Sequence, residues 1–173
     1  MAKQHVHRGG ELSIDNSTDL YGQVTSITLP TIEEKTDDMQ IGGMNFEADV
    51  ALGFNKLEAE IHLTKLNPVY LTKIGVSVGQ RVPFRWMASL DNSDSDTPTG
   101  LNALMRGRIT SIDLGEQKSS EKADVTIKIS IDEQYLLRIA NEVIYDIQPL
   151  RLIHRVGEND LMQVHRQNMG YDY

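Results

Sequence analysis

Asp124-Val125-Thr126-Ile127-Lys128-Ile129-Ser130-Ile131 alternates polar and apolar side chains without a break. Successive side chains of an extended strand point to opposite faces. This period of two therefore places Val125, Ile127, Ile129 and Ile131 on a buried face and leaves the other four wet. Upstream, Val82, Phe84, Trp86, Ala88 and Leu90 repeat the pattern. Phe46, Ala48, Val50 and Leu52 alternate with Glu47, Asp49 and Ala51, and Leu57, Ala59, Ile61 and Leu63 alternate with Glu58, Glu60 and His62. With only Gly53-Phe54-Asn55-Lys56 between them, these two runs read as a β-hairpin with one apolar and one largely acidic face. Between Leu101 and Leu114 the phase changes: Leu101, Ala103 and Met105 share one parity, Ile112 and Leu114 the other, which predicts a bulge. Further strands fit Tyr21 to Leu29 and Val143 to Val156.

Two segments break the period of two. Asn67 at an N-cap, Pro68 at the first helical position and a Leu66–Leu71 staple predict a helix from Pro68 to Ile74, ending near Gly75. A second, weaker helix is predicted from Asn159 or Asp160 to Gly170, with Leu161, Val164 and Met169 on its apolar side. Strand signals dominate and do not alternate with helices, so the class is mainly β: an antiparallel barrel or sandwich with one short flanking α-helix. Asp91 to Gly100 and Gly115 to Lys122 have the chemistry of turns. Thr31 to Gly43 carries Glu33, Glu34, Asp37 and Asp38 against one lysine, too polar for a core. It is an arm reaching for a neighbour or an ordinary mobile loop. Gly42-Gly43 would be the hinge where it rejoins the sheet.

The chain has 173 residues, enough for one domain with a substantial core and too few for two full ones. Its net charge of -8 argues against tight nucleic-acid binding, which needs cations to displace counterions from phosphate. Like charge suits a surface that polyanions must pass without sticking. No apolar run reaches the roughly 18 residues of a spanning helix, and Met1 to Gly10 lacks the apolar region of a secretory signal. Neither membrane insertion nor export is implied. The absence of cysteine excludes disulfides and thiolate chemistry.

No catalytic set emerges. Asp91, Asp94 and Asp96 lack the spacing of a calcium loop and read as a solvated turn. His5 and His7 have no second ligand pair nearby, which favours a loose N-terminus over a metal site. His154 and His165 lie among Arg151, Arg155 and Arg166, either an anion or subunit contact or a solvated basic region. Trp86, Tyr135 and His154 are the remaining candidates for a binding module or enzyme, and their aromatic character places them more readily in a core. No cofactor and no metal are implied.

A series of short motifs then comes in order: Thr28-Leu29-Pro30 before the acidic stretch, Gly42-Gly43-Met44, Leu52-Gly53, Met105-Arg106-Gly107-Arg108, Asp113 with Gly115, Tyr135-Leu136, Asn159-Asp160-Leu161 and Arg166-Gln167-Asn168-Met169-Gly170. In this order they resemble the major tail tube proteins of contractile-tailed bacteriophages, a family that includes the tubes of R-type pyocins. The resemblance implies a single tail-tube domain over residues 1–173, with an N-terminal segment 1–20, a long protruding hairpin arm 31–44 and a C-terminal segment 158–173. It implies a structural virion protein, not an enzyme, whose hexameric rings stack into the inner tail tube. DNA passes through this tube without specific binding, inside a contractile sheath. It also implies the sheath protein, tape measure protein, baseplate hub and tail terminator as partners. Synthesis and assembly would take place in the host cytoplasm. Inter-ring or inter-subunit contacts are expected at Glu33, Glu34, Asp37, Asp38, Gly42, Gly43, Met44, Arg166 and Asn168. Glu47, Asp49, Glu58 and Glu60 are expected to line the lumen. A type VI secretion-like tube subunit is the alternative, an unrelated β-barrel binding module a weaker one. Relative to the family pattern, Ala140-Asn141 stands where an Asp-Gly turn is common, and Asn tolerates the left-handed backbone such a turn needs.

Overall fold

The computed structural model describes residues 5–15, 20, 22–39, 46–65, 68, 72, 80–92, 95–115 and 124–171. Among them are strands β1 His5–Ile14, β2 Val24–Thr28, β3 Glu34–Met39, β4 Ala48–Phe54, β5 Leu57–Leu63, β6 Val82–Asn92, β7 Ser95–Asp113, β8 Val125–Ile139, β9 Glu142–Gln148, β10 Ile153–Val156 and β11 Asn159–Asp160. A short helix, α1 Gln163–Asn168, follows. Nine strands form one antiparallel sheet in the order β1-β6-β7-β8-β9-β10-β11, with β5 joining β8 and carrying β2. The expected mainly β, antiparallel class is observed in a sandwich-like form rather than as a closed barrel.

β8 organises the molecule. Its first half, Val125 to Ile131, pairs with β5, and its second half, Tyr135 to Ile139, pairs with β9. The sheet thus divides into two leaves along one strand. The division falls where Arg106 pairs with Gln134 but Arg108 pairs with Ser130, so that Ile131, Asp132 and Glu133 bulge opposite Gly107. A bulge bends its strand and raises the local twist, which is what lets one strand serve two leaves. Side chains hold the bend: Asp132 accepts Arg81 Nε and Nη2 at 3.1 and 3.2 Å, and Glu133 accepts Arg106 at 3.3 Å.

The alternating runs bury the faces their periodicity predicts. Val125, Ile127, Ile129 and Ile131 of β8, Val82, Phe84, Trp86 and Ala88 of β6 and Leu57, Ala59, Ile61 and Leu63 of β5 all enter one core. Each large aliphatic or aromatic side chain so buried contributes about 2 kcal/mol. The predicted phase change in β7 is a bulge at Thr110: Ile109 pairs with Ile129 and Ser111 with Lys128, while Thr110 Oγ1 donates to the Lys128 carbonyl at 3.1 Å. Val143 to Val156 is two strands. Pro149, which has no N–H to give a ladder, starts a 3₁₀ turn over Pro149–Arg151, and Leu152 reverses the chain at φ 55°.

Other expectations change. The hairpin of residues 46–52 with 57–63 does not form: β4 pairs with β3, and β5 pairs with β2 and β8. The N-terminal segment is an edge strand in register with β6 over most of its length. It inserts Leu12 and Ile14 into the core and stacks the His7 ring on Trp86 at 5.9 Å. At Gly10 a Cβ would stand 2.3 Å from the Trp86 ring, so glycine admits the indole beneath the strand. The predicted helix at 68–74 lies mostly outside the described residues; Thr72 N–H donates to the Pro68 carbonyl at 2.9 Å, one helical turn.

The Ala140-Asn141 turn joins β8 to β9 with φ 51° and 66°, so both residues take the left-handed conformation, as anticipated for Asn141. For alanine that conformation costs about 1 kcal/mol. Replacing the pair by Asn-Gly, the preferred sequence for a two-residue turn of this hand, is expected to stabilise the protein by about 1 kcal/mol. A higher urea midpoint at unchanged slope is the check.

Candidate assembly surface

The acidic stretch is one strand of a two-stranded sheet. β3 is exposed at every position and β4 at all but one. Register separates two faces: Asp38 lies opposite Asp49 and Thr36 opposite Ala51 on one, while Asp37 lies opposite Val50 and Met39 opposite Ala48 on the other. Strand alternation adds Glu47 to the first face and Phe46, which is 83% exposed, to the second. The hairpin thus has an acidic side and an apolar side, both open to solvent. Its base is fastened. Asn55 donates its backbone N–H to the Glu33 carbonyl at 2.9 Å and its side-chain amide to the Glu33 carboxylate at 3.0 Å. Phe54 meets the His154 ring edge-on, centroids 4.5 Å apart. Beneath this contact Ile32, Leu57, Ile131, Ile147 and Met162 help line an apolar cavity of about 330 Å³.

The C-terminal segment is locked by one buried charge. Arg166, 5% exposed, donates to Asp160 Oδ2 at 2.6 Å and to the Leu152 carbonyl at 2.7 Å. The second Asp160 oxygen accepts the Met162 N–H at 3.1 Å, just ahead of α1. The hydrogen bond from Arg166 holds the Asp160 carboxyl below its ordinary range. Burial pushes His154 down, with Asp160 pulling the other way. A six-residue helix has no stability of its own, so this link ties α1 to the sheet. Leu161, Val164 and Met169, predicted to pack inward, are exposed, and Arg166 occupies the interior in their place. The geometry thus gives Arg166 a role within the chain, whereas Asn168 stands exposed near the end of α1.

Of the other singled-out residues, Glu33, Glu34, Asp37 and Asp38 are all exposed along or beside β3. Gly42, Gly43 and Met44 lie outside the described residues. The four acidic residues expected on one wall separate: Glu47 and Asp49 belong to the hairpin, Glu58 and Glu60 to the outer face of β5. There Glu58 pairs with Lys56 at 2.8 Å and Glu60 with Lys128 at 3.9 Å. Trp86 and Tyr135 are core residues. Burial, with Tyr145 adding to it, pushes the Tyr135 phenol up to about 12, far from any proton transfer at neutral pH. Among the described residues no three His, Asp or Glu side chains converge on a metal position, and no helix is long and apolar enough to cross a membrane. Missed by sequence reasoning were β4 as the second strand of the arm and Asp160 as the partner of Arg166. The Glu47-Ala48-Asp49 acidity, continuous in character with β3, was the available signal for the first.

Residues 10–170 match the family described as phage tail tube protein FII. The tail tube protein of Escherichia phage P2 is 30% identical over 159 residues, covering 90% of this chain and 91% of that protein. The major tail tube protein of Serratia phage KSP20 is 29% identical over 147 residues, covering 83% and 84% respectively. A chain in the cryo-EM structure of the anti-feeding prophage baseplate aligns at a TM-score of 0.41 and 14% identity, over 75% of this chain and 89% of that one. The match over nearly the whole chain, together with the order of its motifs, shows that the protein belongs to the phage tail tube protein FII family, structural components of the viral tail.

Proposed function

We propose that this chain is the repeating subunit of a hollow inner tail tube, six copies to a ring and rings stacked end to end, through which DNA leaves the capsid inside a contractile sheath. Residues 1–173 act as one domain. The observation that carries the reading, beyond family membership, is the β3–β4 hairpin. Two strands with neither face covered are marginal in water, yet this pair exposes Phe46, Val50, Leu52 and Met39 together. A neighbouring subunit supplies the missing cover. The exposed Leu161, Val164 and Met169 around α1 offer a second such surface, with Asn168 beside it. The role needs no catalytic step, in keeping with the core packing of Trp86 and Tyr135. Sheath, tape measure protein, baseplate hub and terminator are the partners that follow, with assembly in the host cytoplasm. Glu58 and Glu60, on an outer sheet face, are assigned to the bore wall, where negative charge keeps DNA moving.

Negative-stain electron microscopy of the concentrated protein, beside sedimentation, tests this. Rings with a central hole or stacked tubes are the expected result. A single compact monomer across all conditions would sink the proposal. Copies at -8 repel, so assembly is expected to improve as salt rises from 0.01 to about 0.15 M and the screening length falls from about 30 to 8 Å. Tubes equally abundant at the lowest salt would mean that the acidic groups are already paired. A heavy-atom label on Glu58→Cys, the sole cysteine of that variant, belongs on the bore; density on the outer wall would reassign β5.

A further inference from the structure

The outer face of β6, β7 and β8 carries Arg85, Arg106, Arg108 and Arg138, with Arg81 just ahead of β6, all exposed. Pairing gathers them: Pro83 lies opposite Arg106, Arg85 opposite Leu104, and Arg138 opposite Asn102. Three of the five fasten the β8 bulge, Arg81 and Arg108 on Asp132 and Arg106 on Glu133. The guanidinium groups of Arg85 and Arg138 have no ion-pair or side-chain hydrogen-bond partner among the described residues. Of the β9 carboxylates, Asp146 lies opposite Leu136 and already accepts from Gln134 and Gln148, and Glu142 lies opposite Ile139, while Glu11 stands on β1 opposite Met87. In a chain of net charge -8, this is a local surplus of cations.

The hairpin holds the opposite surplus. From Thr31 to Asn55 there are six carboxylates and a single lysine. Asp38 and Asp49 face each other directly across the ladder, an arrangement that destabilises an isolated hairpin. No cation of the described residues neutralises either of them.

We propose that the arginine face of one copy receives the acidic side of the β3–β4 hairpin of a second copy, with Asp38 and Asp49 meeting Arg85 and Arg138. This rests on the tube reading and supplies it with a specific joint. The strands of the hairpin extend about 20 Å, enough to lie across the three strands of the arginine face. Individual exposed ion pairs are weak, so the charges set register and partner choice while the burial of apolar neighbours such as Met87 supplies affinity. The two patches are different surfaces of one chain. The contact is therefore heterologous and propagates from copy to copy instead of closing a pair, which is what a ring or a stack requires.

A charge exchange tests the joint. One variant carries Arg85→Glu and Arg138→Glu, the other Asp38→Lys and Asp49→Lys; all four positions are exposed, and each variant is expected to melt at the wild-type temperature. Alone, each should pellet as tubes at least about tenfold less than wild type, the effect of losing about 1.4 kcal/mol per joint. Mixed in equal amounts they should recover to within about twofold, because each then finds its complement on the other. Wild-type tubes together with a variant that assembles unimpaired, or a mixture that fails to recover, overturn the docking and leave the tube standing. A wild-type chain that never associates overturns both.

Discussion

Alanine at Gly107 is expected to destabilise the protein by about 3 kcal/mol, more than a single added methyl costs at any open glycine of the chain. A Cβ built there lies 2.1 Å from the Ser130 carbonyl oxygen and 2.8 Å from the Ile131 Cα. Both are backbone atoms of the neighbouring strand, so no side chain can swing aside and β7 and β8 must part. They meet at the bulge where the sheet divides into its two leaves, so the strain falls on the β5 and β9 pairings together. Gly9→Ala is the control, since nothing lies within 4 Å of its added methyl. Urea unfolding of the two variants should show the first shifted strongly and the second nearly unmoved. Equal midpoints would mean that the bulge relaxes without cost.

Arg166→Ala should cost nearly as much, about 3 kcal/mol, because it strands the Asp160 carboxylate in a site that is 7% exposed. The loss should be local: amide exchange is expected to rise from Ile153 to Gly170 while β6, β7 and β8 keep their protection. The sign of the pH dependence follows from the two titrating groups. Asp160 is held below its ordinary value when folded, so its contribution is full above the unfolded carboxyl pKa, about 4, and is lost as pH falls through the folded value. His154, also depressed, adds stability above about 6.5 that declines as pH drops through its folded value. Both act in one direction, so the C-terminal segment should loosen on acidification before the sheet does. Uniform acid unfolding, or a variant with unchanged exchange, would show that α1 is held by something other than this pair.

The sequence was most informative where a residue's role depends on its immediate neighbours. Alternation identified the buried faces of β5, β6 and β8. A change of parity located the Thr110 bulge. The left-handed tolerance of Asn141 accounted for its turn. The order of small motifs led to the right family. Pairing was harder to read. Phe46 to Leu52 and Leu57 to Leu63 have the pattern and spacing of a hairpin, yet β4 turns back to β3. The apolar residues of β4 face solvent instead of the core. The edge strand β1 went unread because His5 and His7, without further ligands nearby, favoured a loose N-terminus, whereas the strand pairs with β6 and Gly10 leaves the space the Trp86 ring occupies.

Period-two patterning determined by itself that the chain is mainly antiparallel β and which faces of β5, β6 and β8 avoid water, and the order of short motifs, not the patterning, pointed to the tail tube family. Only the tertiary structure decided which strands join, that the acidic stretch and β4 are one hairpin standing off the sheet, and that Arg166 is an internal lock. The reason is physical. Side-chain alternation is local, whereas backbone hydrogen bonds pair any two strands alike, so partner choice belongs to the packing of the whole chain. A lone arginine in a polar helix looks solvated until the fold brings Asp160 and the Leu152 carbonyl within reach of it.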